Sequence, residues 1–95
     1  MQMRQFGIER EKARREAEQI RTVIVDLDCT VQLLDCEIAA EELRARVFNP
    51  TNIAYPTLAK SLAARRDNLN DTIAALEKQL AAVQAALSRT TATAA

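Results

Sequence analysis

Two cysteines, Cys29 and Cys36, are the side chains in this sequence best suited to covalent or metal chemistry. A thiol pair can close a disulfide, hold zinc or attack an electrophile. Seven residues apart on a helix, their Cα atoms stand ~10 Å from each other at ~1.5 Å rise per residue, beyond the ~7 Å that a disulfide tolerates. The chain has no histidine and no Cys-x-x-Cys pair, so a zinc site lacks ligands and neither thiol has a base to activate it. The carboxylates Asp26, Asp28, Asp35, Glu37, Glu41 and Glu42 follow one another along one stretch, without the cleft that acid–base catalysis needs. The expectation is a non-enzymatic protein with no cofactor and no metal.

The remaining charged motifs predict little chemistry of their own. The start, MQMRQFGIEREKARR, precedes a heptad pattern and could be compared with a basic zipper. Its interspersed glutamates would face the phosphates that the arginines are meant to neutralise. A solvated helix face with i,i+4 pairs such as Glu11 with Arg15 is the simpler reading. The Arg65-Arg66-Asp67 cluster is too small for a nucleic-acid patch, and the formal charge is zero, with 13 basic and 13 acidic residues. Charge is unevenly placed: residues 1–21 carry six basic and four acidic groups, 22–48 two and six, and 49–95 five and three. An acidic middle between mildly basic ends suits an antiparallel hairpin.

The elements that must position these residues are helical. Hydrophobic residues make up 48% of the 95 residues but aromatics only 3%, with a single glycine, which is the composition of long helices. From residue 17, apolar positions recur at alternating steps of three and four. Ala17, Ile24, Val31, Ile38 and Ala45 take position a, and Ile20, Leu27, Leu34 and Glu41 position d, with Phe48 closing the run. A second run places Leu62, Leu69, Leu76 and Val83 at d, and Arg66, Ile73, Leu80 and Leu87 at a. Between the runs, Asn49-Pro50 disfavours helical geometry before the proline, and Pro56 suits a first helical turn. The predicted fold is all-α: an antiparallel two-helix coiled-coil hairpin over 1–89, with helix 1 about 3–48, a turn at 49–56, helix 2 about 57–89 and a frayed tail at 90–95.

Register and surface follow from the intruders. If facing residue numbers sum to 107, Glu41 and Arg66 meet as a charge pair inside the seam; in the next register, summing to 100, Arg66 faces Leu34 and Glu41 faces Ala59. The first neutralises two charges that would each be costly there. The alternative has the Arg66 stem covering the seam while its head reaches water. Helix 1 also carries a second apolar line, Val25, Cys29, Leu33, Cys36, Ala40, Leu43 and Val47, roughly opposite the first. One hairpin covers only one of the two, so the second line is a candidate protein-binding surface, completed by a dimer of four helices or by another protein. Tyr55 is either a partner contact or packing at the hairpin end.

Several stretches resemble a known family: EREKARREAEQIRTVIVDL, then AAEELRA, then IAYPTLAKSLAARRDNLNDTIAALEKQLAAVQAAL. Ala54 to Thr57, Ala59-Lys60 and Arg65 to Leu69 carry the specific part. The chain is similar to the FliJ family of flagellar export proteins in its alphaproteobacterial form. The resemblance implies a non-enzymatic antiparallel coiled coil of the flagellar type III export apparatus, contacting export ATPase, export gate or substrate chaperones. It also implies a place in the cytoplasm, at the cytoplasmic face of the flagellar base. The family's second helix usually continues further, whereas here the pattern stops near Leu87, as in a short or truncated form. Arg65 joins the candidate protein-binding residues. The expected partners are proteins, including a second copy of the chain, with no nucleic acid and no direct membrane insertion: no apolar run of 18 uncharged residues occurs, nor a secretory leader.

Overall fold

The computed structural model describes the backbone of residues 2–94 and the side chains of residues 7–89. Two long helices, α1 (Gln2–Ala45) and α2 (Thr57–Ala94), pack against each other as an all-α helical hairpin. No strand occurs among the described residues. The chain divides into two compact units: residues 26–73, which contain the turn, and residues 1–25 together with 74–95.

In the unit of residues 26–73, α1 stops at Ala45, three residues before the expected end near Phe48. The stop is a Schellman turn. Arg46 adopts φ 56°, and the Val47 N–H donates across it to the Glu42 carbonyl at 3.3 Å, closing the last helical turn in the way glycine usually permits. Phe48 therefore lies outside the helix and is exposed, not in the seam.

Two tight turns follow. Asn52 N–H donates to the Asn49 carbonyl and Tyr55 N–H to the Asn52 carbonyl, both at 3.0 Å. Each asparagine side chain also caps its own turn. Asn49 Oδ1 accepts from the Thr51 N–H at 3.0 Å and the Thr51 hydroxyl at 2.8 Å, and Asn52 Oδ1 accepts from the Ala54 N–H at 2.8 Å. These Asx turns hold the connection in one shape. Pro56 then precedes α2 with its carbonyl accepting the first helical bond, from Lys60 N–H at 3.2 Å, as a residue at the helix start should.

Ile38, Tyr55 and Ala59 form the core beneath this turn, with Val47, Leu62 and Ala63 packed against it. Val31, Leu34 and Ile73 are buried further along the unit. Each such aliphatic side chain contributes roughly 1.5–3 kcal/mol when fully buried. Tyr55 and Ala59 continue the d and a frames of α2 backward by one heptad from Leu62 and Arg66. The seam of α2 thus begins in the loop.

This earlier start changes the expected pairing. Arg66 meets Asp35, Nη1 to Oδ1 at 3.1 Å, and its own neighbour Asp67, while Glu41 binds Arg44 one turn away. The anticipated Glu41–Arg66 pair is not formed. The residue numbers of the Arg66–Asp35 contact add to 101, one from the register of 100 and not the favoured 107. The physical reason is burial: this offset brings an aromatic ring and Ala59 into the seam and leaves the guanidinium at its edge, where it escapes the desolvation of a buried ion pair.

In the other unit, Ala17 and Ile20 are buried and Ile24 half-buried on α1; Leu76, Leu80, Val83, Ala86 and Leu87 are half-buried on α2. Glu11 pairs with Arg15 at 3.5 Å, as the i,i+4 spacing predicts, and with Arg14 at 3.6 Å. α2 is helical to Ala94, through most of the segment 90–95 expected as a tail; the side chains of that segment lie outside the described ones.

Candidate functional site

The heptad that buries a and d on α1 dictates what its other face shows. At ~100° per residue, positions b, f and c occupy the arc opposite the seam, and e and g border it on either side. In the unit of residues 26–73, f and c are Asp26 and then the apolar Cys29, Leu33, Cys36, Ala40 and Leu43, all exposed. Leu33 and Leu43 keep 64% and 68% of their surface accessible. Cys29, Gln32, Leu33 and Cys36 line a shallow depression of about 360 Å³. Both cysteines are free.

The expected second line is therefore real over five residues and altered at its ends. Val25 is exposed but belongs to the other unit. Val47 has left the line: past the Schellman turn it is half-buried and packs on the Ile38–Tyr55–Ala59 core. Arg65 is exposed on α2. Tyr55 is not available as a partner contact, because it is buried at the hairpin end.

The Tyr55 hydroxyl donates to Glu42 Oε2 at 2.8 Å. Burial of the ring, together with this bond to a carboxylate, pushes the phenol above its ordinary value, against a smaller opposing pull from Arg66. Hydrogen bonds to Asp35 and Asp67 raise Arg66 in turn, and the bond to Glu41 raises Arg44. Glu42 and Asp35 were not singled out by spacing as partners. Their only sequence signal is position e, the flank nearest the seam. Ile38, Glu42, Tyr55, Lys60 and Arg66 border a groove of about 410 Å³ beside the turn.

No family model, curated protein or solved structure matches this chain.

Among the described residues, no group of His, Cys, Asp and Glu is placed to hold a metal ion, and no helix is long and apolar enough to cross a membrane. What the arrangement offers chemically is an apolar strip about two heptads long on a helix whose opposite side is already packed. Its c and f residues alternate by four and three, the spacing that accepts the knobs of another heptad helix.

The connection adds apolar surface that the heptad count missed. Phe48, Ile53 and Leu58 are exposed, Ile53 at 102%. Ile53 falls outside both periodic runs, where a sequence pattern assigns no face, whereas Phe48 was expected to close the first run and Leu58 sits in the first turn of α2; the loop's asparagines were the available signal that it is ordered.

Proposed function

We propose that this protein is a non-enzymatic coiled-coil accessory of the flagellar type III export apparatus, binding export ATPase, export gate or substrate chaperones at the cytoplasmic face of the flagellar base. The observation that carries the reading is the exposed line Cys29, Leu33, Cys36, Ala40 and Leu43 opposite a buried seam. An apolar strip of that length on an ordered helix is a surface for another protein. The Ala54-Tyr55-Pro56-Thr57 and Arg65-Arg66-Asp67-Asn68-Leu69 blocks supply the flagellar assignment by resemblance. Tyr55 and Pro56 would act through the hairpin end that they shape, and the α1 strip through direct contact.

Affinity capture from a motile bacterium tests this. Recovery of export ATPase, gate or chaperone with the wild-type chain, and its loss with Leu33→Glu or Leu43→Glu, is the expected result. Absence of all three, beside a stable homodimer, would favour a coiled-coil adaptor unrelated to flagella.

A further inference from the structure

Charge along the unit of residues 26–73 is segregated more sharply than its totals suggest. Residues 22–43 contain six acidic residues and no basic one, and residues 44–66 five basic and no acidic one. Internal pairs consume part of each set: Arg44 with Glu41, and Arg66 with Asp35 and Asp67. Asp26, Asp28 and Glu37 are left exposed without an ion pair on α1, and Arg46, Lys60 and Arg65 are left likewise around the turn.

Each unpaired set lies beside apolar surface. Asp26, Asp28 and Glu37 occupy c, e and g, so Asp26 precedes the Cys29–Leu43 strip, Glu37 borders it, and Asp28 stands on the far side beyond the b residues. Arg46 and Lys60 lie in the chain on either side of a tip that exposes Phe48, Ile53 and Leu58, and Arg65 follows Leu58 one heptad along α2 at the same helical position. The two surfaces complement each other in charge and share an apolar centre, yet both belong to one compact unit. We propose that the tip of one molecule docks on the α1 strip of a second copy, and reciprocally, so that the free protein is a two-fold dimer.

The symmetry favours this arrangement. In a two-fold contact, whatever patch A of one copy does to patch B of the other is repeated in reverse, so one association satisfies both sets of unpaired charges. Stacking strip on strip would oppose carboxylates to carboxylates, a like-charge contact that costs affinity. The tip is also held by the Asn49 and Asn52 turns, so little order need be lost on docking.

Two triple variants test it by sedimentation equilibrium, with helicity checked by circular dichroism. Variant one carries Arg46→Glu, Lys60→Glu and Arg65→Glu; variant two carries Asp26→Lys, Asp28→Lys and Glu37→Lys. The wild-type chain is expected at twice its 10.5 kDa, weakening with added salt as screening shortens. Each variant alone opposes like charges at both contacts and is expected to associate at least about tenfold more weakly. Mixed together, they restore opposite charges at both contacts and form a heterodimer, and one chain carrying all six changes recovers the homodimer. A monomeric wild type, a dimer untouched by either triple change, or a mixture that does not associate would overturn the proposal. The outcome is separable from the flagellar reading: a monomer that captures export ATPase sinks the dimer alone, and a dimer that ignores every export component sinks the flagellar assignment alone.

Discussion

The Tyr55 hydroxyl donates to Glu42 Oε2 at 2.8 Å, tying the loop that precedes α2 to the last turn of α1. Tyr55 is the only tyrosine, and the chain has no tryptophan, so its phenol can be titrated by ultraviolet absorbance without interference. The midpoint is expected above the ordinary 10.0 and back near it in denaturant. Glu42→Gln should lower it, since an amide still accepts the bond but repels no phenolate. The folded value lies above the unfolded one. Stability from Tyr55 is therefore complete below pH 10.0 and lost as pH rises through the raised folded value. Tyr55→Phe should be weaker at neutral pH and lack that alkaline loss; a midpoint at or below 10.0 would contradict the geometry.

Arg46 closes α1 in the left-handed region, at φ 56°. A side chain there costs on the order of 1 kcal/mol that glycine does not incur. Arg46→Gly is expected to stabilise the hairpin by about that amount, a rise of roughly 4–8 °C in Tm for a domain of this size. Arg46→Val should lower Tm, because a β-branched residue tolerates that conformation worst.

Ile38 and Leu33 lie on opposite sides of one helix, the first 6% and the second 64% exposed. Ile38→Ala removes packing under the turn and should cost about 2–5 kcal/mol. Leu33→Ala is expected within roughly 0.5 kcal/mol of wild type while weakening partner or second-copy binding. Chemical denaturation of both variants, with binding measured in parallel, separates core from surface.

Arg66 and Asp35 meet at 3.1 Å with both side chains partly in water. Their coupling in a double-mutant cycle should be small, about 0.2–1 kcal/mol, and should fade with salt. The same cycle on Arg66 and Glu41 should give none. A larger coupling to Glu41 would restore the register that sums to 107.

The two periodic runs, the bend between them and the identity of the seam were legible because each is local. A three-four spacing of Ala17, Ile20, Ile24 and their successors marks one side of a helix whatever it packs against. Asn49-Pro50 and Pro56 break the helix through their own backbone restrictions. The exposed line of Cys29, Leu33, Cys36, Ala40 and Leu43 was legible for the same reason: it is what remains after the seam is assigned. Less visible were the early stop at Ala45, which depends on a left-handed arginine that no propensity favours, and the use of Tyr55 as the first seam residue of α2.

Sequence alone thus determined that this chain is two heptad helices joined by one turn, with a second apolar strip left over on the first. The alignment of the helices, the places taken by Tyr55, Val47 and Phe48, and the carboxylate that Arg66 meets depend instead on packing between distant parts of the chain. The reason is the repeat itself. A heptad seam shifted by seven residues buries the same classes of side chain, so registers of 107 and 100 are nearly equivalent along the helices. The choice between them is made at the closed end, where a Schellman turn, two Asx turns and a buried tyrosine fit one offset.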